Sequence, residues 1–415
     1  MRLRHVAPAG SPIRAVDLLR WSRTLVGVRD PERQLGEAIA SRFGFPRVAV
    51  TCTGRAGLTL LCEAVAVLAP PDRREVIVPS YTCFSVPASI VKAGLRPHVV
   101  DVDPLTFDYD VSRLERVDFS KVAAIVATSL YGYPSDLQTL SRIAADRQVL
   151  LIDDAAQAMG ARLHGRYLGG WGDAGLLSFD KGKAVAAIDG GAMVLTNPAI
   201  ADVIARRMPA LEGPDGREVA MQGVKLLAYA TLLRPSLYWI PNGIPQLGLG
   251  ETRYTTDFRV GLPGRTLASL ALTMLERLPE FVESRRKNAQ ALLEALADSR
   301  HVQLPRAHPG AEPTFLRLPV LVRDRETQQA VIATLRSAGI GATGSYPSSL
   351  ADVPLLRPSL AGDFAHVAGG RSIAERIVTL PTHPYVTGRD ITRMIDTLTR
   401  VSTAPRVSVA GVPAR

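Results

Sequence analysis

The chain has 415 residues, 47% of them hydrophobic, enough for a large core and for two domains or one domain with a satellite. Its formal charge is +10, yet there is no run of five basic residues, no basic helix interleaved with aromatics and no zinc-spaced Cys/His cluster. Nucleic-acid binding and a metal centre are therefore not expected, and the arginines read as a diffuse surface, with an anionic small molecule as the next reading. Three cysteines without a CxxC argue against a disulfide framework and for a reducing, cytoplasmic setting, and the N-terminus lacks the apolar core of a secretory signal.

Between residue 47 and about 200, short β-branched runs alternate with helical segments. Strands are predicted at 47–53, 75–80, 96–103, 122–130, 149–155, in "AGLLSF" (174–179) and in "AMVLTN" (192–197), with helices at 54–69 and 136–148. Continuous apolar strands alternating with helices predict an α/β fold whose mostly parallel sheet is covered on both faces, with ligands at the carboxyl ends of its strands. From Pro209 to Gly264 the pattern gives way to Pro- and Gly-rich sequence that reads as an excursion over the surface. Its most apolar part, "VKLLAYATLLRPSLYWIP" (224–241), is interrupted by Lys225, Arg234 and Pro235 and falls short of the roughly 20 residues a spanning helix needs. A long helix is predicted over 266–300, broken at Pro279. The strand-like 314–322 and 376–381 and the helical 326–339 and 388–401 make a small α+β domain, followed from Ser402 by a polar tail expected to be mobile.

Three features carry chemistry, all at predicted strand ends. Thr53-Gly54-Arg55-Ala56 ends a strand and opens a helix, where backbone N–H groups and the helix dipole offer a phosphate seat; plain turn chemistry is the alternative. Asp153 and Asp154 end the strand in "VLLIDDAAQ", where one carboxylate would face the cleft and keep a ring nitrogen protonated, or would cap a helix. "LLSFDKGKAVAAIDGG" (176–191) then places Ser178, Lys181 and Lys183 together. The chain has only six lysines, and arginine cannot supply a free amine, so a lysine here is a candidate nucleophile toward an aldehyde. A phosphate seat, a carboxylate for a pyridinium nitrogen and an amine are what pyridoxal phosphate needs from its host.

In that order these motifs resemble the DegT/DnrJ/EryC1/StrS family of pyridoxal-phosphate-dependent sugar aminotransferases. "TCTGRAGLTLLCEA" is similar to its phosphate turn, "VIVPSYTCFSVPAS" to its P-S-x-T segment and "SLYGYPSDLQTL" to its LYG-x-P-x-D loop. "LIDDAAQAMGARLHGRYLGGWGDAGLLSFDKGK" is similar to its EDAAQ…GD…SF-x-x-x-K run, and "AERIVTLPTHPYVT" to its A-E-x-x-x-x-L-P signature. The resemblance implies a fold-type I transferase: a large domain over 1–265 with a mostly parallel seven-stranded sheet and an atypical insertion at about 205–255, a connecting helix over 266–300, a small C-terminal α+β domain over 301–402 and a tail from 403.

It also implies pyridoxal 5'-phosphate as cofactor, with Lys183 as the Schiff-base lysine, Lys181 as a neighbour, Asp154 on the pyridinium nitrogen and Gln157 on the ring's hydroxyl side. Gly54, Arg55, Ala56 and Ser178 would hold the phosphate. The implied reaction converts a keto-sugar, nucleotide-linked, to an amino-sugar with an amino acid such as glutamate as donor, in polysaccharide or secondary-metabolite biosynthesis, on a homodimer. Members without the lysine act as dehydratases, so its presence favours transamination.

Four positions depart from the family pattern. Arg55 stands for a Thr of the phosphate turn, Asp257 for an Asn that reaches the partner's phosphate, Cys83 for the aromatic over the ring, with Phe84 adjacent, and Ile188 for the first Gly of Gly-Glu-Gly-Gly. A dehydratase or aromatising synthase on the same cofactor, and a regulatory homologue with a vestigial site, are the alternatives. Residues 224–247 form either a wall at the dimer interface or active site, the favoured reading, or a peripheral membrane patch. Tyr346 and His383 are candidates for the substrate entrance or for structural roles.

Overall fold

The computed structural model describes residues 4–244 and 253–403. Its central sheet has strands β1 (Val48–Thr51), β2 (Glu75–Pro79), β3 (Arg96–Val100), β4 (Val122–Thr128), β5 (Leu150–Asp154), β6 (Ala174–Ser178) and β7 (Gly191–Leu195), in spatial order β1-β7-β6-β5-β4-β2-β3. Only β7 runs antiparallel to its neighbours. Every residue of β4, β6 and β7 is buried, as continuous apolar strands covered on both faces must be. Alternation along β4 sends Ala124 and Val126 to the apolar cluster of Leu58 and Leu61 on one face, and Ile125 and Ala127 to that of Ile39, Leu140 and Leu270 on the other. The fold is α/β, as expected.

The predicted strands are all present, trimmed by up to four residues at an end, and the one predicted over 192–197 begins one residue earlier, at Gly191. Helices Ala15–Gly27, Pro31–Phe43 and Ser85–Lys92 come in addition. The excursion is not irregular: it contains the 17-residue helix Gly216–Leu232, capped by Asp215, whose side chain accepts the N–H of Glu218. Its inward stripe is Gln222, Leu226 and Ala230. Val219, Val224 and Leu227 lie on the exposed side, so apolar residues occur all round the helix and no 3.6-residue period marks it in the sequence.

The connecting helix is two helices, Gly264–Leu275 and Leu278–Leu296. The break precedes Pro279, which sits in the first turn of the second helix, where a missing N–H costs nothing. The C-terminal unit pairs β8 (Leu318–Leu321) with β9 (Ile377–Leu380) antiparallel, beside helices Arg325–Ser337, Ala368–Arg376 and Gly388–Thr403. Its Leu318, Leu335 and Leu398 share one apolar cluster with Leu58 and Val78 of the sheet layer, so the unit is packed into the larger body rather than tethered to it. The expected tail beyond Thr403 lies outside the described residues, as do residues 245–252.

Candidate active site

The carboxyl ends of β4, β5 and β6 and the turn after β1 open onto one cavity of about 650 Å³. Gly54, Arg55, Cys83, Asp154, Gln157, Ser178, Lys181 and Lys183 all line it. Ala56 does not: it is fully buried, and its N–H is taken by the side chain of Thr53 at 2.9 Å, which caps the helix Gly54–Leu68. A Cβ on Gly54 would lie 3.2 Å from both Cβ and Oγ of Ser178, so the bare backbone is what lets the turn and the end of β6 face each other closely. Gly191 is equally constrained, since a Cβ there would meet the backbone of Thr53 and Gly54 at 2.7 Å. The loop leading into it carries its strain at Ile188, a buried β-branched residue held at φ +73°.

Successive residues of a strand face opposite ways, and β5 ends on two aspartates. Asp154 turns to the cavity, 4% exposed, its Oδ1 accepting the N–H of Ala156 at 3.0 Å. Burial pushes its carboxyl up to about 6, against the opposing pull of that N–H and of the Lys183 ammonium. Asp153 faces away and does not line the cavity; its Oδ2 accepts the N–H groups of Gly169 at 2.6 Å and Trp171 at 3.2 Å, and burial pushes it up to about 7. No helix begins after either residue, which removes the capping reading.

The two lysines differ in their surroundings. Lys183 is half-buried and its charge acts on Asp154, whereas Lys181 is exposed and acts on the buried Asp189. Ser11 Oγ donates to the carbonyls of Ala184 at 2.6 Å and Lys183 at 3.0 Å, and Tyr229 of the helix Gly216–Leu232 donates its hydroxyl to the carbonyl of Lys181 at 2.7 Å. The lysine loop is thus held from the N-terminal segment and from the excursion.

Cys83 lies on the wall with its Sγ accepting from Ser85 Oγ at 2.8 Å, while Phe84 is buried against Tyr346, so the thiol and not the adjacent ring faces the cavity. Gln157 accepts the N–H of Tyr131 at 3.2 Å and donates to the Tyr346 hydroxyl at 2.8 Å. Tyr346 is therefore a support behind Gln157 and not part of an entrance. His383 is 1% exposed, donates from Nε2 to the carbonyl of Ala7 at 2.8 Å, and is pushed down to about 4 mainly by burial; it too is structural. Asp257 is exposed and off the cavity wall, its N–H on Thr255 Oγ1, while the neighbouring Phe258 and Arg259 face in. The ring of Phe258 lies 4.9 Å from the guanidinium of Arg55 and 4.9 Å from the ammonium of Lys92.

Sequence reasoning missed Thr128, Glu218, Met221 and Gln222; Lys225 falls within 224–247, the stretch expected to wall the dimer interface or active site. Thr128 ends β4 directly opposite Asp154 in the register and was findable by the same strand-end rule.

The sequence profile of the DegT/DnrJ/EryC1/StrS aminotransferase family matches residues 21–225 and 249–399. The chain belongs to the DegT/DnrJ/EryC1/StrS aminotransferase family. An L-glutamine:2-deoxy-scyllo-inosose aminotransferase of Micromonospora echinospora is 31% identical over 366 residues, 84% of this chain and 79% of that one. A GDP-perosamine synthase of Caulobacter vibrioides is 28% identical, over 85% of each chain. The structure of an aminotransferase from Streptoalloteichus hindustanus superposes with a TM-score of 0.76 at 23% identity, covering 96% of this chain and 98% of that one. An Escherichia coli GDP-4-keto-6-deoxy-D-mannose-3-dehydratase with bound hydrated PLP superposes with a TM-score of 0.76 at 18% identity, covering 96% of this chain and all of the other.

Against the family's pattern, the unmatched residues are 226–248, narrower than the 205–255 expected, and they begin within the helix Gly216–Leu232. The cavity fits pyridoxal phosphate. Gly54 and Ser178 form a cradle that a Cβ would crowd, Asp154 and Lys183 sit within electrostatic reach, and Thr128 Oγ1 is buried without a hydrogen-bond partner among the described residues. The departures at Arg55 and Asp257 do not put a carboxylate on the phosphate seat of this chain, because Asp257 turns outward.

Proposed function

We propose that the protein is a pyridoxal-phosphate-dependent sugar aminotransferase that converts a nucleotide-linked keto-sugar to an amino-sugar, with an amino acid such as glutamate as amine donor. The observation that supports this reading is that Lys183 and Asp154 line one cavity beside the Gly54–Ser178 cradle. When bound, pyridoxal phosphate supplies an electron sink for the charge left at the donor's Cα. Gly54, Arg55 and Ser178 would hold the phosphate, Gln157 the hydroxyl side of the ring, and the ionised Asp154 would keep the ring nitrogen protonated. Lys183 would hold the cofactor's aldehyde end, and its amine, when free, would serve as the base that takes the proton from the donor's Cα and as the acid that returns it. The keto-sugar then runs the same steps in reverse.

Arg55, Lys181, Lys225, Arg253 and Arg259 line the cavity against Asp180, Asp189 and Glu218, a cationic balance that suits a diphosphate-linked sugar. A lysine on the cavity wall, Lys183, favours transamination over a dehydratase or a vestigial regulatory site. The free thiols Cys52, Cys62 and Cys83 support a reducing, cytoplasmic setting.

The exposed apolar residues Val219, Val224 and Leu227 stand on the same helix that walls the cavity, which supports a homodimer with this face at its interface. Leu226, Ala230 and Leu233 of the apolar stretch are buried in the chain itself, which leaves less for a membrane patch; residues 245–247 of that stretch lie outside the described residues. No helix among the described residues is long and apolar enough to cross a membrane.

Incubation with glutamate and a panel of nucleotide-linked keto-sugars, followed by mass analysis, tests the reaction. Amino-sugar and 2-oxoglutarate in equal amounts are expected; turnover without the amine donor would point to the dehydratase instead.

A further inference from the structure

Two side-chain atoms on the cavity wall are buried without a hydrogen-bond partner among the described residues, Thr128 Oγ1 and Gln222 Oε1. Thr128 stands opposite Asp154 and falls to the cofactor. Gln222 comes from the helix Gly216–Leu232, inside the segment that the family profile matches and four residues before its internal gap at 226–248. It is 7% exposed, and it interrupts an inward stripe whose other members, Leu226 and Ala230, are apolar and four and eight residues further on. An amide buried with an open acceptor is costly unless something fills it.

The residues beside it narrow what that partner is. Glu218 and Lys225 border Gln222 on the cavity wall, and Glu218 is engaged by Arg259 at 3.2 Å. Cations on this wall already serve an anionic group, whereas a neutral amide offers one acceptor and two donors and suits a hydroxyl, which both gives and takes a hydrogen bond. Either orientation of the amide meets that requirement. We propose that Gln222 is a specificity-determining residue that hydrogen-bonds a ring hydroxyl of the acceptor keto-sugar; this rests on the sugar-aminotransferase reading above.

Gln222→Met and Gln222→Leu keep the volume and helix propensity and remove the polar group. The cofactor-loaded proteins are assayed in two separate halves: loss of the visible cofactor absorbance on adding glutamate, and full turnover of two ketones, 2-deoxy-scyllo-inosose and a dTDP-linked 4-keto-6-deoxyhexose. Both variants are expected to keep the glutamate step within twofold of wild type and to raise KM for the ketone that wild type uses by about 10- to 100-fold, with kcat changed much less. A ketone KM within twofold of wild type in both variants overturns the proposal, as does an equal loss in both halves, which would mark Gln222 as structural. Wild type that completes the glutamate step and turns over neither ketone also contradicts it. Wild type that fails the glutamate step itself overturns the aminotransferase reading beneath it, a result distinguishable from the others.

Discussion

Asp153 and Asp154 are identical side chains at adjacent positions, and only the alternation of β5 separates their roles. Burial raises the folded value of the Asp154 carboxyl to about 6, so folding favours its neutral form. That contribution to stability is full below the unfolded value near 3.9 and is lost as pH climbs through about 6. In the cofactor-free protein, Asp154→Asn should therefore gain stability relative to wild type between pH 4.5 and 7.5, by about 2–3 kcal/mol from a shift of roughly two units. Urea unfolding at several pH values measures this, and a flat difference would contradict it. With cofactor present the ranking should reverse, because the ring cation then pairs with the ionised carboxylate. Lys183, Asp154 and Ser178 were legible in the sequence because amine, carboxylate and hydroxyl stood at strand ends in the order that one cofactor uses. Thr128 and Gln222 were not, since a lone threonine or glutamine has no signature until its burial and its missing partner are seen.

The helix Gly216–Leu232 decides the shape of the cavity and is the element the sequence concealed. Leu226, 1% exposed, anchors it, and Leu226→Ala should cost about 2–4 kcal/mol, while Val224→Ala, 61% exposed in the single chain, should change chain stability by less than about 0.5 kcal/mol. Denaturant unfolding of the two variants checks the direction in which the helix faces; similar costs would mean that it does not pack as described. The sheet strands were readable because each is a buried β-branched run bounded by turn residues. Helices Ala15–Gly27 and Gly216–Leu232 were not, because the first exposes Val16, Leu19 and Val26 and the second exposes Val219, Val224 and Leu227, so neither shows a single apolar face. The break expected at Pro279 is present, and the proline lies in the first turn of the second helix.

At the scale of the whole molecule, the exposed face formed by Met221, Val224 and Leu227, at three-residue spacing, borders the cavity that Met221 lines. If a second copy covers it, Leu227→Arg should shift the protein toward monomer in light scattering and lower its affinity for cofactor; an unchanged mass would place the interface elsewhere. The α/β plan, a sheet covered on both faces, and the C-terminal α+β unit were legible, because alternating strands and helices admit few arrangements. Their shared apolar cluster was not, because a cluster that joins Leu58 to residues as distant in sequence as Leu398 leaves no trace in local pattern. The central claim is that this fold brings one lysine of six to the cofactor. Loading the protein with pyridoxal phosphate, reducing it with borohydride and mapping the labelled peptides by mass tests that claim directly. One phosphopyridoxyl group per chain on Lys183 is the predicted result; a label on Lys181, or on any other lysine in its place, would contradict the site described here.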